Sequence, residues 1–472
     1  MAVFYNIGET KRRPGVYQRH VNSGSGVSVG SQDGICAIPV QASWGPLGKV
    51  LINSNSGDLT RNYGIGTYGA GYTVPAAAAM FDGGASAVYT YRLGTGGKQA
   101  SLELTGGLTA TAKYPGTLKI SLSVLAKLGD STKKQLNVYA DTTLVESFDF
   151  VADSTKEGAN LVAATANSAY ITVTGEAATV PALAVASGAL TGGENPTVTN
   201  EDYSAAFAAL ENRYYNTIAL DVDDDASMTL SLLLQAYLDN AYKLGKMAIA
   251  VVGEKTSVAF ATRLAHATAF NDCKVVYLGG GYVAGAKNND GVMAICYTAG
   301  VIASTPSNQG ITHRAISGAT ELCENLTYAQ YEQAIGAGML LLSMSSDGTI
   351  WYDSGINTLV TPEDGTQDEG WKKIRRVKVR YELIDRLDRA LAPKVGRVSA
   401  NSDGIADIVQ TAQSVLDQMA DKEGKLMPGA TFTEDPANPY SGDSAWFIIQ
   451  ADDVDSLEKI YLQYQFRYSQ NA

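Results

Sequence analysis

The sequence predicts a multidomain protein of mixed α/β (α+β) class. Its plan is a central α/β sheet domain, an inserted all-β domain, and extended N- and C-terminal arms. Three observations predict this. Between about residues 194 and 303, strands apolar on both faces alternate with helix-period segments, the pattern of a parallel sheet covered by helices. Between about residues 94 and 193, aromatics thin out and Thr, Ala, Ser and Gly dominate with a period of two, which marks half-buried antiparallel strands. Finally, residues 1–30 are short of core-forming side chains, while the last residues alternate strictly between large apolar and polar. The 472 residues suffice for two to four cores. The expected division is an arm at 1–30, a central domain at 31–93 and 194–345, an insert at 94–193, a C-terminal domain at 346–459, and an arm strand at 460–472.

In chain order, Lys11-Arg12-Arg13-Pro14-Gly15-Val16-Tyr17 and Ser23-Gly24-Ser25-Gly26 cannot bury enough surface to fold alone. This stretch is either a frayed terminus or an arm ordered by adding a strand to a neighbour's sheet. Strands follow over 34–40, 49–52 and 87–92, with a Trp44-Gly45-Pro46 turn and a short helix over 76–81. In the insert, Leu118, Ile120, Leu122 and Val124 alternate with Lys119, Ser121 and Ser123, and similar runs lie at 136–139 and 170–173.

After Asn195-Pro196 the period becomes helical. Thr199 or Asn200 caps a helix to Leu210, with Glu201 and Asp202 favouring its dipole. Strands over 217–221, 247–252 and 274–278 alternate with helices over 227–244, 257–270 and 292–303. Asp347-Gly348 joins two strands as a hairpin. Ile374, Val377, Tyr381, Ile384 and Leu391 space an amphipathic helix within 371–391. In the tail, Leu462, Tyr464, Phe466 and Tyr468 alternate with Gln463, Gln465 and Arg467, as one more strand.

Composition excludes several function classes. The net charge is −12 and the pI near 4.9, which argues against general nucleic-acid binding. Four separated Cys without a Cys-x-x-Cys pair read as reduced thiols. No signal-peptide-like segment opens the chain and no 18-residue apolar window occurs, so neither standard secretion nor stable membrane association is expected. Three scattered His remove most zinc and His-based schemes. Tyr outnumbers Phe by 26 to 10, which suits surfaces wet in one state and buried in another, and equally suits strands.

Candidate chemistry is sparse. Gly279-Gly280-Gly281 follows a strand but lacks the G-x-G-x-x-G order, and Lys287-Asn288-Asn289-Asp290-Gly291 reads as a loop where a nucleotide fingerprint needs a helix. No P-loop sequence occurs. Asp221, Asp223, Asp224 and Asp225 could hold a cation, but read better as ordinary helix caps. No catalytic constellation, cofactor site or metal site is predicted, so the expectation is a protein that is not an enzyme. From Lys372 to Arg397, ten basic residues face only Glu382, Asp385 and Asp388. Glu382–Arg386 and Asp385–Arg389 are i,i+4 pairs. The remainder, Lys372 to Arg380, either contacts an acidic partner or is solvated.

Several motifs carry a resemblance in the right order along most of the chain. Arg13-Pro14-Gly15-Val16-Tyr17, Trp44-Gly45-Pro46, Ser56-Gly57-Asp58-Leu59 and Tyr63-Gly64 resemble the opening of contractile tail sheath proteins. Tyr114-Pro115-Gly116-Thr117 is similar to the start of that family's variable insert, and Thr191-Gly192-Gly193 ahead of Asp202-Tyr203 to the return from it. Ala299-Gly300-Val301-Ile302-Ala303, Ile356-Asn357-Thr358-Leu359 and Gly396-Arg397-Val398 are similar to its central and C-terminal parts.

The resemblance implies a virion tail or phage-like particle, assembled in the bacterial host cytoplasm. Sheath subunits stack as hexameric rings into a helical sleeve around a tail tube, with baseplate and tail terminator proteins as further partners. Contraction drives the tube through the host envelope without nucleotide. It also implies that the N- and C-terminal arms add strands to a neighbour's sheet, which nominates Val16, Tyr17, Leu462, Tyr464, Phe466 and Tyr468 as inter-subunit positions. The leftover basic residues Lys372, Arg375, Arg376 and Arg380 are the candidate tube-facing set. A surface or adhesive filament whose insert binds a receptor is the rival reading.

Overall fold

The computed structural model describes residues 3–4, 17–18, 33–64, 73–104, 107–153, 155–175 and 187–466. They divide into two compact units. The larger holds residues 33–378 and 455–466, the smaller 379–454 together with the short segments near the N-terminus. The division between the two units therefore falls inside the helix Ile374–Leu391.

The larger unit is built on a seven-stranded sheet. Its order is Met339–Leu340, Val275–Leu278, Ile249–Gly253, Thr217–Ala219, Ile35–Val40, Ala87–Arg92 and Val50–Asn53. Every neighbouring pair is parallel except the last, where Val50–Asn53 runs antiparallel to Ala87–Arg92. Strands buried on both faces are what the apolar runs predicted, and Ile249–Gly253 is buried throughout.

The two faces separate with the expected period of two. Ala37, Ile218, Ala250, Val252, Val275 and Tyr277 share a core with Tyr203, Phe207, Leu210, Leu234 and Leu238 of the helices Asn200–Leu210 and Thr229–Lys243. On the other face, Cys36 Sγ and Thr217 Oγ1 both donate to Ala299 O of the helix Val292–Ser304. That helix packs on the helix Val74–Asp82 through backbone: a Cβ on Gly300 would lie 2.1 Å from Met80 O. Only glycine permits this approach, which explains why small residues recur in both helices.

Within the same unit, the insert forms two antiparallel sheets. One orders Ile171–Thr174, Leu108–Ala112 and Ser101–Leu104. The other orders Thr143–Val151, Lys133–Ala140, Ile120–Ala126 and Ser187–Ala189. Leu108, Ala110, Ile120, Leu122, Val124, Leu136 and Val138 fill the core between them. The helix Glu157–Ala164 inside the insert was not foreseen; its apolar positions are mostly alanine, too weak a stripe to read. The stretch read as a loop at 287–291 is a correction. Lys287–Asn289 is a strand paired with Tyr282–Ala284, because Gly285 at φ +59° closes a two-residue turn that polar Asn residues conceal.

The smaller unit centres on the continuation of Ile374–Leu391 and the helix Ser402–Asp417, which packs on a hairpin of Thr431–Glu434 with Phe447–Gln450. Val379, Leu387, Ala412, Leu416, Met419 and Phe432 form its core. Asn401 starts the second helix by accepting Gly404 N. Near the N-terminus, Val3–Phe4 pairs in parallel with Tyr17–Gln18. No helix among the described residues is long and apolar enough to cross a membrane.

Candidate assembly site

In an open parallel sheet, ligands bind beyond the carboxyl ends of the strands where the strand order reverses. Here that point lies between Ile35–Val40 and Thr217–Ala219. It is occupied by the chain itself. Asp221 Oδ1 accepts Tyr203 Oη at 2.6 Å, and Oδ2 accepts Gln41 N at 3.0 Å and the hydroxyl of Thr73. Burial pushes the Asp221 carboxyl up despite these hydrogen bonds.

The neighbouring acids have structural partners too. Asp223 pairs with Lys255 at 2.7 Å. Asp224 accepts Leu230 N and Ser231 N, and Asp225 accepts Ser227 N and Thr229 N, capping the helix as expected. No cluster of three metal-ligating side chains is present among the described residues. One buried network escaped the sequence reading: Glu254 accepts Tyr277 Oη and lies 2.7 Å from His266 Nδ1. These residues are 23 and 12 positions away from Glu254 and meet only because adjacent strands and a helix converge.

The insert joins the central sheet through a neck centred on a buried arginine. Arg92 is fully buried and donates to Ala42 O at 3.0 and 2.8 Å, to Gly45 O at 2.5 Å and to Pro115 O at 2.8 Å. Trp44 stacks on Tyr170 at 5.6 Å and meets Tyr114 edge-on at 5.1 Å. Gly116, at φ +150°, passes so close to Ser43 O that a Cβ would lie 1.9 Å away. Bridges Thr95 to Thr197, Lys98 to Glu194 and Ser101 to Thr191 zip the outgoing and returning chains. Thus the motifs at 44–46, 114–117 and 191–193 mark the neck.

At the other end of the chain, residues 455–458 lie on the larger unit. Lys373 Nζ reaches Asp455 Oδ2 at 2.7 Å and Glu458 Oε2 at 3.0 Å. Arg375 Nη1 donates to Ser456 Oγ at 3.2 Å, and Thr312 Oγ1 to Glu458 Oε1 at 3.1 Å. Residues 459–466 are exposed, with Leu462 at 70%, Tyr464 at 73% and Phe466 at 93%.

The predicted C-terminal strand is therefore absent over 460–466. A strand exists only where it pairs with an edge, and among the described residues this segment pairs with none. Tyr17 does lie in a strand, paired within the chain, while Val16 and Tyr468 fall outside the described residues.

The basic set also departs from expectation. Lys372 pairs with Glu369 at 2.7 Å. Arg375 is 8% exposed, and the Arg376 guanidinium packs against Gly370. In the smaller unit, Arg380 pairs with Asp453 at 3.0 Å. These charges are thus engaged within the chain, and the reading of them as left over is corrected. The acidic partner of Arg380 stands 73 positions downstream, and those of neighbouring Lys373 stand 82 and 85 downstream, beyond any i,i+4 rule. The signal that could have found them is the cluster Asp452, Asp453, Asp455 and Glu458, opposite in sign to the helix.

The smaller unit holds one further feature that sequence reasoning missed. Along Thr431–Glu434, Gln413 occupies the edge by accepting Phe432 N at 2.9 Å and donating to Ala430 O at 2.9 Å. Phe447–Gln450 has no strand on its other side among the described residues, and Ile448 and Ile449 are 38% and 45% exposed.

Comparison with known proteins fits this arrangement. Residues 197–357 match the model of the phage tail sheath protein central domain. Phage-like element PBSX protein XkdK of Bacillus subtilis is 24% identical over 490 residues, covering 97% of this chain and 98% of that protein. A crystal structure of a sheath tail protein from Desulfitobacterium hafniense superposes with a TM-score of 0.71 at 21% identity, over 93% of this chain and all of that one. The anti-feeding prophage helical sheath in its contracted state superposes with a TM-score of 0.53 at 12% identity, over 97% and 99% of the two chains. The resemblance to contractile tail sheath proteins read from the motifs holds, and the fold is theirs.

Proposed function

We propose that the chain is the repeating structural subunit of a contractile tail sheath, acting in a phage tail or phage-like particle and not as an enzyme. Subunits stack as hexameric rings into a helical sleeve around a tail tube, between baseplate and terminator proteins. The observation that carries this reading is the segment 459–466, which exposes Ile460, Tyr461, Leu462, Tyr464 and Phe466 on a chain of sheath fold. Large apolar side chains so arranged need a partner surface. Their alternation suits addition to a sheet edge in a second copy, and the strand Phe447–Gln450 offers such an edge. Residues 1–20 are the complementary arm.

Contraction, in this reading, releases free energy stored in the extended sleeve as subunit contacts enlarge. The filled crevice at Asp221 supports a mechanism that needs no nucleotide. The tube-facing surface is sought outside Lys372, Arg375, Arg376 and Arg380, because those side chains are engaged within the chain. Electron microscopy of the purified protein, alone and with tube protein, tests the whole reading. Hollow helical sleeves support it, and their loss on removal of 459–472 supports the arm. Solid filaments formed without a tube would favour the adhesive alternative instead.

A further inference from the structure

The C-terminal chain crosses from the smaller unit to the larger between Val454 and Asp455. Four contacts then fall within four residues. Lys373 bridges Asp455 and Glu458. Arg375 holds Ser456, and Thr312, itself fixed by accepting Gly355 N at 2.9 Å, holds Glu458. Gly310 lets the chain approach, since a Cβ there would lie 3.1 Å from Ser456 Oγ. Immediately beyond Glu458 the chain is exposed through residue 466. The Lys373 and Asp455 side chains remain 28% and 36% exposed, so salt reaches them.

We propose that Lys373, with Thr312, is a clasp that fixes residues 455–458 on the central unit and so sets the point from which 459–466 reach a neighbouring subunit. Lys373 is a positioning residue: it touches the segment behind the arm, not the arm's docking strand. The inference rests on the arm reading given above. Its physical sense is entropic. A segment anchored at its base searches a small volume, whereas one freed from residue 455 onward searches a larger one and docks at lower effective concentration. Because the ion pairs are half-exposed, the clasp can be weakened without unfolding either unit.

The test uses the full chain in its unassembled state. Chymotrypsin cleavage after Leu457 and Tyr461, followed by intact mass, reads how firmly the base of the arm is held. Lys373→Glu is expected to speed cleavage after Leu457 by about three- to tenfold, the span that two half-exposed ion pairs support. It is also expected to reduce the yield of sleeves on electron-microscope grids. Adding Asp455→Lys and Glu458→Lys to Lys373→Glu restores the charges in reverse, and should bring both readouts back toward wild type. Sodium chloride at about 1 M, where screening acts within about 3 Å, should move wild-type cleavage toward the Lys373→Glu rate.

Unchanged cleavage in Lys373→Glu overturns the proposal, as does faster cleavage with wild-type sleeve yield. A chain ending at Glu458 separates the two levels of argument. If it still forms sleeves, the arm reading fails, whatever the clasp does.

Discussion

The inserted β domain and the C-terminal segment both leave the central unit, and the two are attached by opposite physics. At the neck, Arg92 spends its donors on backbone carbonyls at full burial, Trp44 fills the gap between Tyr114 and Tyr170, and Gly116 brings two backbones into contact. At residues 455–458 the attachment is charge on charge, within reach of water. Buried packing and hydrogen bonds are lost only when the structure opens. Half-exposed ion pairs exchange readily with solvent and salt. The difference makes the attachment of the insert lasting and that of residues 455–458 releasable.

The comparison can be broken most forcefully at Trp44. Trp44→Ala removes the ring that packs both Tyr114 and Tyr170, and should cost about 3–5 kcal/mol, seen as a lower denaturant midpoint. Arg92→Ala comes next. It leaves the carbonyls of Ala42, Gly45 and Pro115 without their donor, for a loss of about 3 kcal/mol. If the neck acts as one unit, the double variant should fall short of the sum of the two losses.

Acid sharpens the contrast with a third kind of ionic contact. In the smaller unit, Glu382, Arg386, Glu423 and Lys425 form a closed network, with Arg386 bidentate to Glu423 at 2.8 Å and Lys425 to Glu423 at 2.7 Å. Burial draws the Glu423 carboxyl up, but the Arg386 and Lys425 contacts outweigh it and hold it at about 2. A carboxyl depressed in the folded state stabilises above its unfolded value and loses that contribution as pH falls. The smaller unit should therefore weaken between about pH 4.5 and pH 2. In Glu423→Gln that acid-induced loss should shrink, as followed by circular dichroism.

The smallest effect belongs to the outside of the neck. Lys98 and Glu194 meet at 2.6 Å, but their side chains are 67% and 58% exposed. Lys98→Ala should shift stability by no more than about 0.5 kcal/mol. A larger loss would mean that the neck relies on surface charge after all, and the comparison would lose its basis.

Much of this architecture was legible from local pattern. Apolar runs at 247–252 and 274–278 specify buried parallel strands because such strands have no polar face to show. Thr199 with Asp202 specifies a helix start, and Thr199 N does donate to Asp202 Oδ2 at 2.7 Å. Asp347-Gly348 specifies a hairpin, realised by Leu342–Met344 against Ile350–Tyr352 with Gly348 at φ +84°. Alternation at 118–124 specifies the insert's antiparallel strands. In each case the deciding pattern lies within a few residues, so the sequence by itself determines it.

What only the tertiary structure decided are the pairings across distance. Lys373 finds Asp455 after 82 residues, Arg92 finds Ala42 after 50, and Gln413 closes the edge at Phe432 after 19. No periodicity records such meetings, because they depend on how whole elements pack. The same holds for 460–466: alternation gives these residues the capacity to form a strand, but a strand exists only where an edge receives it.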